Sequence, residues 1–435
     1  MNTIKRNRNR IQGVAVSVLL LWAIAFNGCD REFSNPNAPT TSDAPLQTIV
    51  TGIEAGMRTE FAVYLRVVSS LGKEAYYFEP ADPRYTGELL QGTPDPGGFL
   101  LNRPWSSRYR VVASCNILLD KAANLSPADK AGVEGFAKTI MAYQLLLNLN
   151  YLDDNGIKLD FSGNLSVPFA SKAESFAKIA SLLDEANASL GAAGGAFPFK
   201  LTSGFTGFDT PVNFAKFNRA LKARVAVYRG NFSDAITALG VSFLNTGGPM
   251  SSGVYHIYGT GLGDQLNEIY ESPTAPFVKF MAHQSFQTNA TAGDTRFSSK
   301  VSVRGTATTF DELTSRLAIT ITGSSTDRVP VIRNEELILL RAEANIGLAQ
   351  FASAEADMNV VRTAAGLAAY PAGSTSAANA LDRLLFEKRY SLFGEGHRWV
   401  DMRRYNRLSQ LPIDRPGRDV IISKMPKPET EVKGS

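Results

Sequence analysis

The chain has little of what catalytic and metal-binding chemistry is usually built from: two cysteines and three histidines in 435 residues. Cys29 and Cys115 cannot make the disulfide framework of a small secreted fold. His256, His283 and His397 lie far apart, without a histidine or cysteine partner at ligand spacing, which argues against a metal site. The loop acids Asp82, Asp95 and Asp264, the candidates for calcium, show no EF-hand spacing. No serine sits in a G-x-S-x-G elbow, and "GTGLGDQL" from Gly259 lacks the lysine and hydroxyl of a phosphate-cradling loop. Glycoside hydrolysis needs only two well-placed carboxylates, which spacing neither finds nor refuses among 41 acids. The expectation is a protein that is not an enzyme and takes no metal or cofactor.

A surplus of charge is also missing. The formal net charge of +4 comes entirely from Lys5, Arg6, Arg8 and Arg10, and the rest of the chain balances 41 basic against 41 acidic residues. A nucleic-acid partner, which wants a basic surplus on one face, is not expected. Nor is there a long hydrophobic run at the start: the uncharged stretch Val14 to Phe26 is 13 residues, too short to span a bilayer. Between a basic flank and Gly28 it reads as a signal peptide over residues 1–28, so that the chain is exported. Cys29 then stands where a lipoprotein signal peptidase cuts and becomes the lipidation candidate. The other reading, a secreted protein with Cys29 bridged to Cys115, fits less well, because Cys115 lies in the helical pattern "YRVVASCNILLDKAAN" as a buried free thiol.

What is present is mostly helix. Residues 29–45 form a flexible tether, and "SNPNAPTTSDAP" (Ser34 to Pro45) could hold a domain up to about 40 Å from an anchor. Beyond it, Leu46 to Gly72, Lys130 to Leu152 and Lys172 to Leu190 repeat apolar residues three and four apart, some almost all round, as helices buried between helices do. Two stretches look like copies of one helix-turn-helix unit: Gly230 and Asn231 lead to Phe232 and Ala235, and Gly347 to Gln350 lead to Phe351 and Ala354. An aromatic three residues before an alanine is how tetratricopeptide repeats seat one helix on the other. The expected fold is all-α, a right-handed superhelical scaffold of such pairs in a single domain over 46–435, interrupted by loop-rich excursions at about 76–105, 197–211 and 248–329. The last contains two possible short strands, "KVSVRG" and "RLAITIT".

Four segments in order, "VIRNEELILLRAEA" (Val331 to Ala344), "AEADMNVVRTAAGL" (Ala354 to Leu367), "LLFEKRYSLFGEGHRWVDMRR" (Leu384 to Arg404) and "MPKPETE" (Met425 to Glu431), resemble the successive C-terminal motifs of the SusD/RagB family of outer-membrane nutrient-uptake lipoproteins. "WSSRYRVVASCNIL" and "KFNRALKARVAVYRGNFSDA" agree with it upstream. The departures are Phe26 where the lipobox usually carries leucine, a tail without the asparagine after its last glutamate, and a shorter chain than many members have. The resemblance implies an N-terminal lipid on the outer leaflet of the outer membrane and docking over a SusC-like TonB-dependent transporter. There the protein would capture an oligosaccharide or peptide and deliver it to the pore by a lid motion. The competing class is a secreted helical-repeat module that binds a protein and no nutrient.

Sugar binding wants flat aromatic faces with polar groups around them, and the excursions supply Tyr76, Tyr77, Phe78, Tyr85, Phe205, Phe208, Tyr255 and Tyr258 as ligand-binding candidates, with core packing beneath a loop as the alternative for each. Trp105 and Trp399 fall inside the motifs and read as structural. The stretch "FEKRYSLFGEGHRWVDMRR" (Phe386 to Arg404) packs eight charges into nineteen positions. Two apolar stripes on its helix, Leu381, Leu385 and Leu392 against Phe386, Tyr390 and Phe393, predict that the helix is sandwiched. Glu387, Glu395, Arg398 and Asp401 are then scaffold charges seeking partners such as Arg341, Glu343 or Arg362.

Overall fold

In the computed structural model, which describes residues 44–160, 167–262 and 264–432, the helical periodicities become two kinds of layer, helix pairs and small antiparallel sheets. The signal peptide, Cys29 and the tether up to residue 43 lie outside the described residues. From Leu46 onward the chain clusters as one unit. No helix among the described residues is long and apolar enough to cross a membrane.

The first helices are α1 (Leu46–Arg58) and α2 (Phe61–Leu71), followed by the strand β1 (Ala75–Tyr77) and then α3 (Phe99–Ala122), α4 (Pro127–Leu152) and α5 (Lys172–Ala192). The periodicity of Leu46 to Gly72 predicts one helix, but the structure breaks it at Glu60, which takes a left-handed conformation with φ 57°. Arg108 on α3 makes the break tolerable: its buried guanidinium donates to the carbonyls of Met57 (2.8 Å) and Thr59, acceptors that an interrupted helix leaves open. The excursion expected over 76–105 is likewise shorter than it reads, because α3 already begins at Phe99 and runs through Pro104. α4 is buried almost all round from Ala131 to Leu152, as its composition requires, and Gly135 lets α5 close on it: a Cβ there would stand 2.4 Å from the Leu190 side chain.

The two expected helix pairs are α6 (Pro211–Tyr228) with α7 (Phe232–Gly240), and α10 (Asn334–Gly347) with α11 (Phe351–Ala364). They also seat on each other. The Phe232 ring that opens α7 lies over Gly347 at the end of α10, where a Cβ would come within 2.2 Å of it. Ala235 and Ala354, the small partners of the two aromatics, are fully buried.

Between the pairs, the third excursion folds more than its sequence suggests. It contains β2 (Gly253–His256), β3 (Phe280–Ala282), the short helices α8 (Ser285–Thr288) and α9 (Thr295–Lys300), the two expected strands β4 (Val301–Phe310) and β5 (Leu313–Ile319), and β6 (Val329–Arg333). β1, β3, β5 and β4 form one antiparallel sheet in that order, and β2 pairs with β6 as a separate ribbon. The chain ends with α12 (Ala380–Ser391), α13 (Arg398–Arg404) and α14 (Glu429–Val432), and the turn between α12 and α13 uses Gly394 and Gly396 at positive φ. Trp105 and Trp399 are both buried, and their indole N–H groups donate to Glu431 (3.2 Å) and to the Ile422 carbonyl (2.9 Å). Cys115 is a free buried thiol whose pKa burial pushes up.

Candidate functional site

The sheet that orders the first and third excursions decides the fate of the aromatic candidates. β1 pairs with β3 at Tyr76↔Met281 and Tyr77↔Phe280, so alternate side chains point to opposite faces. Tyr76 and Phe78, 5.3 Å apart and stacked, enter a small core with Leu90, Val278 and Met281, whereas Tyr77 packs edge-on against Tyr85 in the main core. Phe205 is buried against Phe214 and Phe217. These five rings have no face left for a ligand in this conformation, because each excursion folds over a second layer. Phe208, edge-on to Phe243, and Tyr258, beneath Arg58, are half-buried. Phe205 and Tyr255 share a void of about 40 Å³, and Tyr255, 8% exposed, also borders a larger cavity.

That cavity, about 390 Å³, is assembled from the β2–β6 ribbon, α9, the segment that follows β5, the start of α10 and the turn after α12. The volume lies at the small end of the range for small-molecule sites. The ribbon sets Tyr255 opposite Pro330, with a bulge between Val254 and Tyr255, and needs Gly253, where a Cβ would meet the Ile332 carbonyl at 2.3 Å. Tyr255 donates its hydroxyl to the Ser251 carbonyl, and the Arg328 guanidinium lies 4.0 Å from its ring centroid. Across the floor, Arg333 donates to Glu395 (2.7 Å), to Glu335 and to the Ser391 carbonyl (2.6 Å). Burial works against the charge of Glu335, but Arg333 and Lys300 outweigh it and hold its pKa below the usual carboxylate range. Lys300 donates to the same Ser391 carbonyl, and burial brings its ammonium down to about 8. Ile321 and Phe393 supply the apolar part of the wall.

Sequence reasoning identified Tyr255 and missed Arg328, Lys300 and Arg296. No local pattern marks them as a site: Arg296 and Lys300 stand four apart on the short helix α9, Arg328 directly precedes β6, and only the tertiary fold brings the two segments together. Most charges of the Phe386 to Arg404 stretch find partners, but Arg398, expected among them, makes no ion pair among the described residues and its Nε is left without a partner. Glu387 holds Arg296 (2.6 Å), Arg362 (3.0 Å) and the Tyr370 hydroxyl (2.8 Å), and Asp401 holds Lys388 and Arg404, each at 2.7 Å. Glu343 takes Lys388 (2.8 Å), Arg404 and Tyr405. Arg341, expected here, instead pairs with Asp357 inside the α10–α11 pair.

Behind the rim, Glu74 is buried, accepts the Gly394 N–H, and has one oxygen without a partner among the described residues. Burial pushes its pKa up to about 7, against the pull of Arg398 and Arg389. The folded protein therefore holds a proton that the unfolded chain, with an ordinary value of 4.5, releases earlier, so the stability tied to this group is lost as pH rises from 4.5 through 7. Glu74→Gln should flatten the fall in urea midpoint between pH 5 and pH 8. Parallel wild-type and variant profiles would count against a buried protonated carboxyl.

Comparison with known proteins agrees with this architecture. Residues 290–433 match the sequence model of the SusD family. Among solved structures, a SusD superfamily protein from Bacteroides vulgatus superposes with a TM-score of 0.67 at 16% identity, covering 91% of this chain and 97% of its own. A laminarin-binding SusD-like protein gives 0.66 at 18% identity, covering 90% and 97%. Surface glycan-binding protein A from Bacteroides thetaiotaomicron, in complex with laminarihexaose, gives 0.68 at 13% identity, covering 89% and 97%. No curated protein matches the chain by sequence. The SusD resemblance read from the C-terminal motifs is thus borne out, by sequence over the last third of the chain and by fold over nine-tenths of it.

Proposed function

We propose that this SusD-fold protein is a surface-exposed binding protein, lipid-anchored through Cys29, that captures an oligosaccharide and delivers it to a SusC-like TonB-dependent transporter in the outer membrane. The observation that carries the reading is the match, over about nine-tenths of the chain, to two glycan-binding proteins of the same fold. The cavity beside Tyr255 is the proposed capture site, with Tyr258 and Phe208 as further half-buried candidates for an extended chain of sugars. Its mechanism is binding without turnover. Both carboxylates that line the cavity, Glu335 and Glu395, are held by the single guanidinium of Arg333. A general acid or base has to be free to exchange a proton with the substrate, and these two are committed to an ion pair.

One preparation tests the reading. Full-length protein extracted from membranes should carry an acyl label that Cys29→Ala abolishes, and it should bind at least one member of an oligosaccharide panel by isothermal titration, with affinity lost in Tyr255→Ala. A labelled protein that binds no glycan would leave an anchored module of another kind, and equal labelling of both proteins would remove the anchor.

A further inference from the structure

We propose that the cavity beside Tyr255 selects an acidic sugar, an oligosaccharide bearing a uronic-acid carboxylate, and that Arg328 is the residue that reads the charge. The proposal rests on the preceding reading of this cavity as the glycan site and adds the chemical class of the ligand.

Four cations line the cavity, Arg296, Lys300, Arg328 and Arg333, against two carboxylates, Glu335 and Glu395. Most of that charge is answered locally. Arg296 is held from behind by Asp294 (2.7 Å) and Glu387 (2.6 Å), and Arg333 spans Glu335 and Glu395. Lys300 lies in the field of the same two glutamates, which raise its pKa against the lowering by burial. Arg328 is different. Among the described residues no carboxylate lies within ion-pair distance of it, and the neighbouring Asp327 is turned away, accepting from Ser324 Oγ (2.7 Å) and the backbone N–H of Gly323 (2.6 Å). One positive charge is therefore left over at the mouth of a cavity, although the chain beyond residue 28 balances to neutrality as a whole.

The geometry of that charge is what makes it selective. The Arg328 guanidinium lies over the Tyr255 ring, 4.0 Å from its centroid, and its N–H groups make no hydrogen bond to the described residues, which leaves them for a partner. Tyr255 is in turn fixed by its hydrogen bond to the Ser251 carbonyl, so the platform under the guanidinium is rigid. A planar fork held on a fixed ring is suited to a carboxylate, which it can meet with two parallel hydrogen bonds, and a sugar hydroxyl can use only one of them. The remaining wall, Ile321 and Phe393, offers apolar contact to a pyranose face, and Ser299 and Thr322 offer hydroxyls.

The test is titration of the full chain with oligosaccharides of galacturonate, mannuronate and glucuronate, each against the same chains with their carboxyl groups reduced to alcohols. A uronate oligosaccharide should bind at least about tenfold more tightly than its reduced form, the scale of one charge-assisted pair. Its affinity should fall between 50 and 500 mM salt while that of the reduced form does not, salt concentrations chosen to take the Debye length from about 14 Å to about 4 Å. Arg328→Gln should erase the difference, and because Arg328 is exposed the variant should melt with the wild type. Equal binding of acidic and reduced chains, or a difference that survives Arg328→Gln, overturns the selectivity while leaving glycan capture intact. Binding of neither kind overturns the glycan site itself and the proposal with it.

Discussion

Glu387→Gln is expected to lower the melting temperature by roughly 4–6 °C, without removing any turnover of a glycan. Glu387 has no exposed surface and carries two guanidiniums, Arg296 at 2.6 Å and Arg362 at 3.0 Å, together with the Tyr370 hydroxyl at 2.8 Å. Glutamine keeps the shape and one acceptor but removes the charge, and its amide nitrogen points a donor at groups that are themselves donors. Breaking a buried pair from one side costs about 3–5 kcal/mol, since the remaining charges stay desolvated. At about 2 cal/mol/K of unfolding entropy per residue, that energy spread over this chain gives the stated shift. Arg296 also lines the proposed capture cavity, so a loosened Arg296 should weaken ligand binding in proportion to the loss of stability. Calorimetry decides: an unchanged melting point, with a glycan hydrolysed by wild type and spared by the variant, would make Glu387 a catalytic acid instead of scaffold.

The difference between what the sequence made legible and what it did not follows from how far apart the determinants lie. Helix pairs are written locally, in a 3.6-residue period and in an aromatic and an alanine three positions apart, and they fold where they were expected. The charged helix was legible for a related reason, because two apolar stripes on α12 require two packed faces and leave Glu387 no solvent to face, while Asp382 in its first turn stays exposed. The break at Glu60 was not legible, since the group that stabilises it, Arg108, is 49 residues from the carbonyl it caps. The aromatic candidates show a subtler failure. Proline and glycine around Tyr76 to Phe78 correctly mark an excursion from the helical base, but exposure does not follow from irregularity. A strand of three residues, too short to show alternation against its neighbours, pairs with Phe280–Ala282, far along the chain, and buries both faces. The cavity is the extreme case: Tyr255, Lys300 and Arg328 become neighbours only through strand pairing and chain turns, and the sequence marks none of them as a group.

The same logic identifies the ion pair with the largest consequence for the scaffold. Arg224, in the C-terminal half of α6, meets Glu336, in the first turn of α10, through hydrogen bonds from Nε (2.6 Å) and Nη2 (2.7 Å), and the same Nη2 also reaches the Val331 carbonyl of β6 at 2.8 Å. The pair fastens one helix-turn-helix unit to the other and both to the ribbon that carries Tyr255. Burial opposes the charge on Glu336, but Arg224 and His397 overcome it and hold its pKa below the ordinary carboxylate value of 4.5. The stability it contributes is therefore present above 4.5 and lost as pH falls through the lower folded value. Arg224→Met strands Glu336 with only His397, 3.8 Å away, whose own pKa burial lowers, and it deprives the Val331 carbonyl of its donor. The expected cost is about 3–5 kcal/mol at pH 7, read as a drop in urea midpoint. Adding Glu336→Leu should return part of that loss, because an apolar pair of similar volume carries no desolvated charge. Only part should return, since the Val331 carbonyl loses its Arg224 donor, and the double variant should also lose the share of the acid-side fall in stability that Glu336 is expected to contribute below pH 4.5. A double variant weaker than Arg224→Met by the full cost of a second independent lesion would mean that the two residues do not act as a pair, and the contact between the helix units would have to be held by packing alone.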